Sequence, residues 1–209
     1  MSDPRRALIV VDVQNEYFDG PLQIQYPPRE QSLAAVVRAL DTAARHDMPV
    51  VLVKHEAPAG VFVAGTPGWE THEAVQARAT DSWKRVTKNK GSVFAGTDLA
   101  SWLTDQGIDT ITLVGYMTNN CILASAAGAE ELDLHAEVLS DATGAIHLAN
   151  EAGKVSAEQL HETLMVLLHS NFAAVASTDD WTTAAQEHKP LPKNNLGTSA
   201  TQGRAAISK

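Results

Sequence analysis

The chain has 209 residues with 44% hydrophobic and 20% charged side chains, enough to bury a sizeable core in one domain and too apolar for a disordered segment. A formal net charge of −9 argues against a nucleic-acid backbone or an anionic membrane as the principal partner. No apolar run approaches the ~18 residues of a membrane span, and the opening MSDPRRALIVVDV is too short in apolar residues for a signal peptide, so a cytoplasmic protein is expected.

In chain order, ALIVVDV (7–13) reads as a strand apolar enough to be buried on both faces, and it runs out on Asp12. A helical pattern over 31–46 leads to a second strand, VVLVKH (50–55), ending in His55. The stretch VTKNKGSVFAGTDL (86–99) brings Lys88 to the end of an apolar-polar run, with Thr97 or its neighbour expected to cap a helix over 97–106. TITLVG (110–115) is the next strand, followed by a helix over 119–132. HAEVLSD (135–141), a helix over 156–170, FAAVAST (172–178) and a helix over 178–187 complete the alternation. Such a pattern predicts a mostly parallel sheet with helices on both faces. Its strand ends are where a site is assembled in open α/β sheets, and Asp12, His55, the turn leading to Cys121, and Asp141 stand there. Residues 1–188 are expected to form the domain. Residues 189–209, polar, with Gly and Pro and no acid, are expected to be a tail or an arm laid on a neighbouring subunit.

The single cysteine, Cys121, lies in VGYMTNNCILASAAG (114–128), where Gly115 opens a turn and Thr118 or Asn119 is a plausible N-cap. A thiol in a first helical turn faces unpaired N–H groups, which lower its pKa and can hold a developing oxyanion. An aspartate, a lysine and a cysteine at the strand ends of one sheet make a nucleophile with a base and a cation beside it. There is no G-x-G-x-x-G after the first strand and no G-x-S-x-G anywhere, against a dinucleotide site or a serine hydrolase.

From about residue 7 to 182 the chain resembles the isochorismatase-like cysteine hydrolases, which include nicotinamidases and N-carbamoylsarcosine amidase. The carriers are LIVVDVQNEYFDG, PGWE (67–70), KNKGSVFAGTDL, LVGYMTNNCILASAAGA and LSDATGA (139–145), in the family's order and spacing. The resemblance implies a three-layer α/β/α sandwich with a six-stranded, mostly parallel, Rossmann-like sheet, including a strand near 84–88. It implies Asp12, Lys88 and Cys121 as a catalytic triad and a cis peptide between Tyr116 and Met117. The backbone amides of Met117 and Cys121 are the implied oxyanion hole. The implied activity is cleavage of a C–N bond of a small amide, carbamoyl or lactam compound through a thioester on Cys121, without metal or organic cofactor.

Nicotinamidases carry an Asp-x-His pair and a further His for a metal, whereas the matching strand end here reads LVKHEAPAG, so no metal site is expected. His161 and His169 fall two turns apart on one helix and are expected to form a surface stripe. Gln14, Tyr17, Phe18, His55, Trp69, Tyr116 and Asn119 are candidates for the substrate pocket. A vinyl-ether hydrolase, a redox-active thiol protein and a non-catalytic relative stay open as other readings. The apolar run LMVLL (164–168) fits either a dimer surface or simple core, and a homo-oligomer, dimer or tetramer, is expected, with a small molecule as the other partner.

Overall fold

Arg6–Val11, buried along its whole length, forms the first strand, β1, in the computed structural model, which describes residues 3–207. It pairs in parallel with β2 (Val50–His55) on one side and β4 (Thr110–Tyr116) on the other. β3 (Lys84–Lys88) lies outside β2, while β5 (His135–Gly144) and β8 (Ala173–Ala176) continue beyond β4. Every pairing in this six-stranded sheet is parallel, so "mostly parallel" sharpens to all parallel.

The sheet order is β3-β2-β1-β4-β5-β8, and its direction of growth reverses between β1 and β4. Neighbouring crossovers there leave on opposite faces, opening a crevice at the carboxyl ends of those two strands. Alternation along β1 separates the two cores. Leu8 and Val10 pack with α1 (Arg29–Arg45) and Trp181 of α6 (Thr178–Gln186), while Ala7, Ile9 and Val11 face α3 (Leu99–Asp105), α4 (Leu123–Glu130) and α5 (Ala157–Leu167). The result is the expected three-layer sandwich. Each buried Leu, Ile or Val contributes about 1.5–3 kcal/mol, and both strands flanking the crevice are buried at every position. The carboxyl ends of β1 and β4 are therefore held firmly.

Four elements were not foreseen. α2 (Glu73–Gln76) is a single turn capped by the side chain of His72. β6 (Leu148–Asn150) and β7 (Gly153–Val155) form an exposed hairpin of only three residues a side, too short for its alternation to be read. α7 (Leu196–Ile207) occupies the stretch expected as a tail, with Asn195 accepting from the Thr198 amide at its start. Its short polar residues and two glycines hide the helix from a reading of propensity. Among the described residues no helix is long and apolar enough to cross a membrane.

Asp141 is corrected by the structure. β5 continues past it to Gly144, and its carboxylate accepts from the Thr178 amide and hydroxyl at the start of α6 while pairing with Arg38. It serves a helix terminus. His161 is corrected as well, being buried at 3% exposure with its Nδ1 2.9 Å from the Thr118 hydroxyl. His169 accepts from the Val175 amide, so the two histidines form no surface stripe.

Candidate active site

β1 ends by turning Asp12 into the left-handed region, φ 50°, at full burial. A non-glycine residue adopts that conformation only where its surroundings enforce it. On β4, Gly115 (φ 103°) lies opposite Val11, and a Cβ there would run into the Val11 carbonyl. Glycine lets the two strand ends approach closely. Beyond it the Tyr116–Met117 peptide is cis, and Thr118–Ile122 forms a single turn with π-type bonding that carries Cys121. Met117, with no side-chain cap, occupies the N-cap position in place of Thr118 or Asn119. Thr118 instead meets His161.

Lys88 joins these ends. Its Nζ lies 2.6 Å from Asp12 Oδ2 and 3.2 Å from Cys121 Sγ. It also reaches His55 Nδ1 at 3.1 Å and the Lys90 carbonyl at 3.1 Å. Asp12, Lys88 and Cys121 are 0%, 3% and 2% exposed, so the cluster is dry. Neither Asp12 oxygen makes an aligned hydrogen bond among the described residues, and the carboxylate is held by its off-axis ion pair with Lys88. Asp12, His55 and Cys121 bring ligand-type atoms within 4.8 Å of one another. The Lys88 ammonium contacts all three residues.

Burial dominates the protonation states. It raises the Asp12 carboxyl above the ordinary value of 3.8, with Lys88 pulling the other way. The Cys121 thiol is pushed up to about 12, first by burial and then by the Asp12 charge, and Lys88 offsets only part of this. The expectation of a thiol made acidic by its helix start is thus reversed, because burial and the neighbouring carboxylate outweigh the helix start and Lys88. His55 is pulled down to about 4 by burial and by the Lys88 cation, so it is a neutral imidazole.

The expected pocket residues divide into two groups. Tyr17, Phe18 and Tyr116 form a buried aromatic cluster, with ring centroids 5.4 and 5.7 Å apart, and the Tyr116 hydroxyl is 2.8 Å from that of Ser32. Gln14 is fully buried. Its amide donates to the carbonyls of His55 and Trp69 while its oxygen accepts from the His55 amide, so both of its N–H groups are committed to the backbone. His55, Trp69 and Asn119 remain half-buried. Trp69 Nε1 and Asn119 Oδ1 are buried polar atoms without a partner among the described residues. Lys54 lies 3.0 Å over the Trp69 ring.

Ser125 was missed. Fully buried, it donates to the Cys121 carbonyl at 2.6 Å and accepts from the Val93 amide at 3.0 Å, tying the cysteine turn to the segment after β3. A serine four residues after the cysteine is the only signal the sequence offers for it.

Residues 6–180 match the family model described as Isochorismatase domain. A crystal structure of a Burkholderia xenovorans LB400 protein, named among the isochorismatases, is 47% identical over all of both chains with a TM-score of 0.95. The isochorismatase family protein YddQ of Bacillus subtilis is 30% identical over 83% of this chain and 96% of its own. The nicotinamidase/pyrazinamidase of Mycobacterium tuberculosis is 29% identical over 68% of this chain and 87% of its own.

Proposed function

The chain belongs to the isochorismatase family of hydrolases, and on that premise we propose that it cleaves the C–N bond of a small amide, carbamoyl or lactam compound with Cys121 as nucleophile. The observation that carries the reading is the buried Lys88 ammonium in contact with both Asp12 and Cys121. The nicotinamidase relative supports an amide-type substrate.

Because the resting thiol is neutral, the nucleophile has to be made during the reaction. Asp12 takes the thiol proton, and Lys88 balances the charge that appears on sulfur. The thiolate attacks the carbonyl carbon, and the oxyanion is held by the amides of Met117 and Cys121. Asp12 then delivers the proton to the leaving amine as the C–N bond breaks. Water, deprotonated by the same carboxylate, hydrolyses the thioester and restores the thiol. His55, Trp69 and Asn119 carry the unspent polar edges that orient the substrate, while Gln14, Tyr17, Phe18 and Tyr116 support the pocket from behind. The exposed Val166, Leu167, Leu196 and Ile207 support a homo-oligomer.

Intact-mass spectrometry after brief exposure to a panel of electrophilic amide mimics tests the reading. Rapid single-site labelling in wild type is expected, absent in Cys121→Ala and much slower in Lys88→Ala. Release of ammonia or an amine at steady state separates acyl transfer from thiol redox chemistry. Labelling no faster than a free small-molecule thiol in every variant refutes the proposal.

A further inference from the structure

Four acceptors surround Lys88 Nζ: Asp12 Oδ2, His55 Nδ1, the Lys90 carbonyl and Cys121 Sγ. An ammonium has only three protons. His55 Nδ1 and the Lys90 carbonyl are neutral acceptors. Asp12 and Cys121 are the two groups between which negative charge has to move. We infer that His55 is a positioning residue, whose Nδ1, together with the Lys90 carbonyl, anchors two of the Lys88 protons and aims the third into the space between the Asp12 carboxylate and the Cys121 sulfur. As the thiol proton passes to Asp12, its bonding electron pair stays on sulfur. The third ammonium proton then turns from carboxylate to thiolate without leaving nitrogen.

The register of the sheet makes the contact, since His55 and Lys88 are paired residues at the ends of β2 and β3. Two features fix the imidazole. Gln14 holds the His55 backbone on both its N–H and its carbonyl. The Phe62 ring stands edge-on to the imidazole, 5.3 Å between centroids. An acceptor role at Nδ1 requires the Nε2–H tautomer, and the low basicity of His55 beside a cation agrees with it. The other titratable groups around this cluster are Asp12 from β1, Lys88 from β3, Cys121 from the turn after β4, and Tyr17, whose phenol is raised by burial and by the charges of Asp12 and Cys121. The inference rests on the reading of Cys121 as nucleophile.

Two measurements on the full chain test it. Histidine ¹⁵N NMR of the free protein is expected to show His55 with an unprotonated Nδ1 and a protonated Nε2 from pH 6 to 8, a Lys88→Ala variant losing that preference; an Nδ1–H tautomer overturns the inference. Iodoacetamide alkylation of Cys121 as a function of pH is the second. His55→Ala is expected to slow it about tenfold at neutral pH and move its midpoint upward, the loss of one hydrogen bond to a charged group. His55→Gln, which restores an acceptor, is expected to recover most of the rate, with thermal unfolding by circular dichroism confirming that both variants fold. A His55→Ala profile that superimposes on wild type, or a folded His55→Gln as slow as His55→Ala, overturns the positioning role alone. A wild-type thiol no more reactive than a free one brings down the nucleophile reading and this role with it.

Discussion

In the proposed reaction Asp12 is the base, and it stands beside a cation inside a dry site. Burial holds its carboxyl above 3.8, so the acid limb of turnover against pH is expected above the usual aspartate range. Asp12→Asn is expected to keep the fold and lower turnover by about a thousandfold or more, the scale of a lost general base; a pH–rate profile of both proteins checks this. His55 gives a stability signature with the same origin, burial, acting in the opposite direction. Its folded value of about 4 lies below the ordinary 6.5, so the unfolded chain takes up the proton first as pH falls. The stability it contributes is complete above 6.5 and declines towards 4. Urea midpoints at pH 7 and pH 5 are expected to differ less in His55→Gln than in wild type, and the difference is modest because the ring is only half-buried.

At the scale of elements, the close approach of β1 and β4 depends on Gly115. Gly115→Ala places a methyl group against the Val11 carbonyl and a side chain at φ 103°. A loss of about 2 kcal/mol or more in chemical denaturation is expected, with Cys121 labelling falling alongside it. Ser125→Ala removes the link between the cysteine turn and Val93, leaving a buried amide unpaired at a cost of about 1–3 kcal/mol; denaturation and labelling rate again report it. These elements differ in how far the sequence discloses them. β1 is plain from its uninterrupted apolar run and β4 from its β-branched and apolar residues, and the order of Asp12, Lys88 and Cys121 along the chain marks the strand ends that meet. The His55 contact with Lys88 follows from pairing register, which no periodicity states. The fate of Gln14 and Asp141 was hidden because backbone groups several elements away, at Trp69 and Thr178, claim their side chains. The buried His161 was misread because its partner, Thr118, is 43 residues away in sequence.

Across the whole molecule, the end of the sheet opposite the crevice is locked by charge. Arg6 on β1 makes a two-pronged contact with Glu137 on β5, 2.8 Å at its shortest, and both residues are buried. Thr112 of β4 and Trp181 of α6 donate to the same carboxylate at 2.7 and 3.0 Å, and Arg6 also donates to the Lys189 carbonyl. Removing one member of such a pair strands the other in a dry interior, costing about 3–5 kcal/mol. Glu137→Ala is expected to lower the free energy of unfolding by that margin in chemical denaturation while the molecules that remain folded keep the labelling rate of Cys121.

The reversal of strand order between β1 and β4 therefore divides the molecule into two territories under different pressures. On the crevice side, the residues that follow β2, such as 56–66, can exchange side chains and, on the proposed reading, redirect the protein to another compound while Asp12, Lys88 and Cys121 stay where the strand ends put them. On the far side, a change alters how long the protein survives and leaves what it cleaves untouched. Accumulated substitutions should then sort by territory, so that new specificities arise in lineages whose thermal tolerance has scarcely drifted.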